Sequence, residues 1–152
     1  MYFVGIDVGT GSVRAALVSH AGEIFAQASR PIQTWTYEED SRLYEQSSAQ
    51  IWHALAECVR TLVEQSRVRP EEVHGIGFDA TCSLVAVQKV TGQPHCITPQ
   101  HLPQNSERNV ILWADHRAED EARLINAVHH KVLDYVGCLL YTSDAADEGL
   151  GV

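Results

Sequence analysis

Apolar residues alternate with other types at Val4, Ile6 and Val8, and again at Val13, Ala15 and Leu17, with a Gly-rich stretch at 9–12 between the runs. A period of two on both sides of such a stretch predicts strand, tight turn, strand. Ala21-Gly22 makes a second turn and 23–34 offers a third strand, so three antiparallel strands are expected to open the fold. A polar stretch over 37–46 leads to Ser47-Ser48, which can cap a helix. Along that helix Ile51, Trp52, Leu55, Val59, Leu62 and Val63 recur on one face while Glu57, Arg60 and Glu64 fall elsewhere, so Trp52 is expected in the core. Arg69-Pro70 ends the helical region. Residues 73–78 form a short apolar strand that delivers Asp79-Ala80-Thr81-Cys82-Ser83, 84–87 continue as a strand, and Thr91-Gly92 turns the chain. The polar stretch 93–108, with Pro94, Pro99 and Pro103, reads as an irregular surface excursion. Residues 110–113 precede a helix expected over 117–136, with Leu124, Ile125, Val128 and Val132 on its buried face. No internal repeat or domain linker interrupts the pattern.

Composition narrows the class without naming a chemistry. A chain of 152 residues with 45% hydrophobic content is long enough for one domain with a proper core. The formal charge of −9 argues against general binding to nucleic acid or to an anionic membrane. No long apolar span and no charged leader followed by an apolar region is visible, so a cytoplasmic, unprocessed protein is expected. Cys58, Cys82, Cys96 and Cys138 are scattered, which suggests free thiols in a reducing compartment. The eight histidines lack the spacing of a metal site.

The turn at 9–12 carries the clearest chemistry. Gly9 and Gly11 allow positive φ and close approach of backbone N–H groups to an anion. Thr10 and Ser12 add hydroxyl donors, Arg14 adds a fixed positive charge, and Asp7 could hold a magnesium ion, usually through water, against phosphate oxygens. Gly-x-Gly alone is equally at home in an ordinary hairpin; Asp, Thr, Ser and Arg together point to phosphate. The loop is not a Walker loop, which ends in Lys and Ser or Thr, nor a dinucleotide fingerprint, which runs from strand into helix. Here a second strand follows.

Asp7-Val8-Gly9-Thr10-Gly11-Ser12-Val13-Arg14 resembles the first hairpin of the FGGY family of carbohydrate kinases. Gly75-Ile76-Gly77-Phe78-Asp79-Ala80-Thr81-Cys82-Ser83 is similar to the segment that touches the sugar hydroxyls in that family. Leu112-Trp113-Ala114-Asp115-His116-Arg117-Ala118 is similar to its Trp-x-Asp-x-Arg element, which borders the same pocket. The resemblance covers residues 2 to about 137 and implies an α/β fold: an incomplete ribonuclease-H-like N-terminal half-domain of the actin, hexokinase and Hsp70 ATPase superfold. The order of three strands, helix, strand and helix agrees with it.

What the resemblance implies about function is specific. ATP is the expected phosphoryl donor, with Mg2+ as its metal. Thr10, Gly11, Ser12 and Arg14 would face the ATP phosphates, Asp7 the metal, and Ala80, Thr81, Cys82, Ser83, Asp115 and Arg117 the small-molecule sugar. For Thr81 to Ser83 a satisfied strand end is the structural alternative to sugar contact, and for Asp115 and Arg117 an ion pair ordering the start of the helix stands beside direct substrate contact as an equal alternative. Glycerol kinases are expected to carry Arg-Glu where Thr81-Cys82 stand, so the sequence looks more like the ribulose kinase branch, whose substrates are ketopentoses. The general base and the adenosine-binding domain are expected beyond residue 137, leaving no catalytic residue in this chain and making the fragment inactive by itself. A homodimer of the full-length enzyme is left open. The rival reading is a non-catalytic nucleotide-switch protein of the same superfold, which would keep the hairpin without needing the two sugar segments. Residues 1–137 are thus expected to form the partial kinase domain. Residues 138–152 resemble the in-frame translation of a transposon-type sequencing adapter and are expected to be a non-native, disordered tail; the competing reading is a short natural C-terminal peptide, for which disorder is expected as well.

Overall fold

A computed structural model describes residues 1–135. In chain order the elements are β1 (Tyr2–Val8), β2 (Ser12–Ser19), β3 (Ile24–Pro31), β4 (Glu45–Gln46), α1 (Ser48–Ser66), β5 (Val73–Ala80), β6 (Leu84–Val85), β7 (Val110–Ile111) and α2 (Glu119–Ala127). They fall into two units, one of residues 1–34 and 46–81, the other of 35–45 and the chain from 82 onward.

In the first unit β1, β2 and β3 form the expected antiparallel meander, and β5 joins β1 in parallel, giving the order β3-β2-β1-β5. The parallel pairing requires a crossover, which α1 supplies. Ser47 caps that helix by accepting from the Gln50 N–H at 3.2 Å, and Arg67 ends it in left-handed backbone, its N–H returning to the Val63 carbonyl. Alternation sends Val4, Ile6, Val13, Ala15, Leu17 and Ala26 to one sheet face, where Ala54, Cys58 and Leu62 of α1 meet them. The two small helix residues allow close approach, and the Cys58 thiol lies 3.6 Å from the Val13 carbonyl.

The helical face is therefore centred differently from the sequence reading. Trp52 is 67% exposed and not core. At 3.6 residues per turn it projects about 120° away from Cys58, the middle of the buried row. Val63 is likewise exposed for the same reason.

The second unit has little regular structure. Strands β4, β7 and β6 form a sheet in that order, each only two residues long, Gln46 being grouped with the first unit. The strand expected over 84–87 is accordingly shorter than its apolar run, and β7 takes only the first two residues of the apolar run 110–113. Among the described residues, Leu43, Leu102, Val110, Leu112 and Leu133 are its buried apolar residues. The 93–108 excursion is irregular as expected, but Thr98 and Leu102 anchor it by burial, and the Gln104 side-chain amide donates to the carbonyls of Thr98, Pro99 and Leu102.

The last predicted helix is corrected at both ends. It covers Glu119–Ala127, stops where His129 adopts a φ of 52°, and gives way to a 3-10 turn at Lys131–Asp134. Leu124, Ile125, Val128 and Val132, expected on a buried face, are exposed; Leu133 is the buried residue of this stretch. No described element covers the Leu124 face, so its amphipathic pattern finds no partner among the described residues. The proposed tail, 138–152, lies outside the described residues.

Candidate functional site

The turn at 9–12 is built by register. Asp7 of β1 stands opposite Arg14 of β2, and Arg14 Nη1 lies 3.1 Å from Asp7 Oδ2 while its Nε donates to Ser12 Oγ at 3.2 Å. The Gly9 N–H donates to the Ser12 carbonyl at 3.0 Å, closing the turn. Neither Gly9 nor Gly11 takes the left-handed backbone that the sequence reading allowed for. Their use is spatial. A Cβ on Gly9 would sit 3.1 Å from Arg14 Nη2, whereas Gly11 has open space around its Cα. Thr10 and Gly11 are exposed at the tip.

Two further features of this turn are invisible in the linear pattern. Asp79 is the parallel register partner of Asp7, so Ser29, Arg14, Asp7 and Asp79 form one row across β3, β2, β1 and β5. The buried Gln46 side chain donates its Nε2 hydrogens to the Thr10 carbonyl at 2.7 Å and to Thr34 Oγ1 at 2.9 Å, while the Ile32 N–H reaches the Gly11 carbonyl at 3.1 Å. Two neighbouring carboxylates, Asp7 half-exposed, are hard oxygen donors of the kind magnesium takes, so the residues present fit that ion.

The second segment continues the parallel ladder. Thr81 donates its N–H to the Val8 carbonyl at 3.2 Å, one step past the Val8 and Ala80 pair, and Asp79 Oδ1 accepts from the Ala80 N–H. Ala80 and Thr81 are thus held at the end of β5 alongside the end of β1. In the second unit Ser83 Oγ accepts from the Trp113 N–H at 3.2 Å, tying the second segment to the third. Cys82 is exposed.

Asp115 and Arg117 form an ion pair within a partly buried polar network. Arg117 donates from Nε to Asp115 Oδ1 and from Nη2 to Oδ2, both at 2.8 Å, and Nη2 also reaches Glu45 Oε1 at 2.9 Å. Asp115, 2% exposed, accepts in addition from the Arg117 N–H and from the Tyr44 N–H. Glu45, 0% exposed, accepts through Oε2 from Thr98 Oγ1 at 2.6 Å and from the Tyr37 hydroxyl at 2.7 Å. Arg108 donates to that hydroxyl at 2.7 Å and stacks its guanidinium over Trp35 and Tyr37. Burial opposes the Arg117 charge, but the hydrogen bonds to Asp115 and Glu45 outweigh it and hold the guanidinium above its ordinary range. Burial raises the Tyr37 phenol above 10, reinforced by the Glu45 carboxylate and opposed by Thr98 and Arg108.

Residues 2–146 match the N-terminal domain of the FGGY family of carbohydrate kinases. The chain belongs to that family. The FGGY match runs past residue 137, where the sequence reading draws its boundary. The D-ribulokinase of Saccharomyces cerevisiae is 46% identical over 136 residues, covering 90% of this chain and 18% of the yeast protein. An FGGY carbohydrate kinase domain-containing protein of Homo sapiens is 47% identical over 136 residues, covering 90% of this chain and 23% of its own length. The crystal structure of a xyloylose kinase from Brucella ovis superposes with a TM-score of 0.67 at 20% identity, covering 90% of this chain and 25% of that one. The chain therefore spans a quarter or less of the length of these relatives. The structural likeness fixes the fold: the mixed α/β N-terminal domain of FGGY kinases, within the actin and hexokinase ATPase superfold.

Proposed function

We propose that the full-length protein containing this FGGY domain is an ATP-dependent carbohydrate kinase whose acceptor is a ketopentose such as ribulose. The observation that carries the reading is the Asp7 and Arg14 pair fixed in register beside a tight, exposed Gly-Thr-Gly-Ser turn. The name of the yeast relative, D-ribulokinase, supports the ketopentose assignment.

Each residue has a defined task in this account. The Thr10 and Ser12 hydroxyls and the Gly11 N–H donate to phosphate oxygens, and the open space at Gly11 lets those oxygens approach the backbone. Arg14 adds positive charge beside the transferred group. Asp7 would hold Mg2+, with Asp79 beside it; when bound, the ion neutralises charge on the phosphate oxygens. Asp7 is not the general base, since a base must reach the reacting sugar hydroxyl. Ala80, Thr81, Cys82 and Ser83 are assigned to the sugar, with Asp115 and Arg117 bordering it. The base and the adenosine site belong to the rest of the enzyme, so the 152-residue chain alone is expected to be inactive. Among the described residues no helix is long and apolar enough to cross a membrane, and a cytoplasmic location is proposed with the kinase reading.

Purified full-length protein assayed with ribulose, xylulose and glycerol tests this. Ketopentose-dependent ADP release is expected; preference for glycerol, or no sugar-dependent release at all, contradicts the assignment.

A further inference from the structure

Glu45 and Gln46 are consecutive, both almost wholly buried, and both polar. Burying such groups is unfavourable unless their hydrogen bonds are replaced, and an apolar pair would fill the space without that cost. Both are bonded, and to different things. Gln46 spends both Nε2 hydrogens in the first unit, one on the Thr10 carbonyl at the tip of the phosphate turn and one on Thr34. Glu45 spends its two oxygens in the second unit, on Arg117 and on the hydroxyls of Tyr37 and Thr98. In extended backbone, neighbouring side chains leave on opposite sides, so one short strand can hold two separate sets of partners.

The two sets are the two candidate binding elements. Main-chain hydrogen bonds to the Ser12 and Gly11 carbonyls and the Arg14 bond to Ser12 Oγ hold the turn at 9–12, and the Gln46 amide adds one to the Thr10 carbonyl. Arg117, already paired with Asp115, gains its second carboxylate from Glu45. We propose that Glu45 and Gln46 are positioning residues for different substrates: Gln46 sets the phosphate turn through Thr10, and Glu45 sets the Asp115 and Arg117 element through Arg117. The substrate labels rest on the kinase reading above; the division of labour between the two side chains does not.

Two measurements separate these. In the 152-residue chain, Gln46→Met, similar in volume and without the amide, should shift the backbone amide resonances of Gly9, Thr10, Gly11 and Ser12 and leave Arg117 Nε and the Tyr44 amide in place. Glu45→Gln should do the reverse. In the full-length enzyme Gln46→Met should raise the KM for ATP about two- to tenfold with little change for sugar, and Glu45→Gln should raise the KM for sugar by about tenfold with little change for ATP. Loss of fold alone would move both constants together. If Glu45→Gln does not fold, Thr98→Val removes one donor to the same carboxylate and should give the same direction, more weakly. Equal effects of both substitutions on the two constants, or resonance shifts spread without distinction over both regions, overturn the proposal. If the unsubstituted enzyme releases no ADP with any sugar, the kinase reading falls, and the resonance pattern alone decides whether the two side chains divide their tasks.

Discussion

The first unit buries a row of aliphatic residues between a four-stranded sheet and one long helix, whereas the second, with strands of two residues, buries two carboxylates and the Thr98 hydroxyl and sets the half-buried Arg117 guanidinium and Tyr37 hydroxyl against them. The contrast separates two ways of holding a chain still. Aliphatic packing is non-directional and tolerates small shifts. The network around Arg117 is directional and fails when one member leaves. The second unit carries the Asp115 and Arg117 element, so in the less regular part of the molecule paired charges stand beside the buried Leu43, Leu102, Val110, Leu112 and Leu133.

The largest expected effect falls on that network. Arg117→Met strands Glu45 and Asp115 without their cation and should cost about 3–5 kcal/mol of unfolding free energy. Leu62→Ala, in the aliphatic core, should cost about 2–5 kcal/mol. Urea unfolding of the two variants checks both. A cost below about 1 kcal/mol for Arg117→Met would show that the second unit does not depend on its charges.

These two modes explain what the sequence disclosed. The hairpin of β1 and β2, the Ser47 cap and the third strand were legible because alternation and capping are local signals. The pairing of Asp7 with Arg14 follows once the turn is known, but the pairing of Asp7 with Asp79 needs the parallel register that the crossover creates. Glu45 and Gln46 gave no signal, since they lay in a stretch read only as polar and their partners stand up to 72 residues away. Trp52 misled because an apolar ring at the edge of a helical stripe satisfies the pattern without facing the core. The helix expected to reach 136 misled because amphipathic spacing shows that a face could be buried, not that anything covers it.

A smaller effect sharpens the same contrast through pH. The Tyr37 phenol is held above its ordinary value, so the neutral form is favoured in the folded state. Its contribution is complete below about pH 10 and is lost as pH rises through the folded value. Thermal unfolding followed from pH 9 to about 11 should show a declining midpoint, and Tyr37→Phe should flatten that decline. An unchanged slope would remove Tyr37 from the network that supports the second unit.

The smallest effect belongs to Trp52. Because the ring is largely exposed on α1, Trp52→Ala should change stability by no more than about 0.5 kcal/mol, against roughly 3–5 kcal/mol for a buried tryptophan. Denaturant midpoints distinguish the two cases. A loss in the larger range would place the ring in the core after all.

The central claim, that the hairpin serves the phosphates and the end of β5 serves the sugar, is tested most directly by steady-state kinetics of Asp7→Ala and Thr81→Val in the full-length enzyme. Asp7→Ala should mainly lower kcat, because charge developing in the transition state loses its support. Thr81→Val should raise the KM for sugar about two- to tenfold while leaving that for ATP nearly unchanged. An Asp7→Ala enzyme with undiminished turnover, or a Thr81→Val effect confined to ATP, would contradict the account.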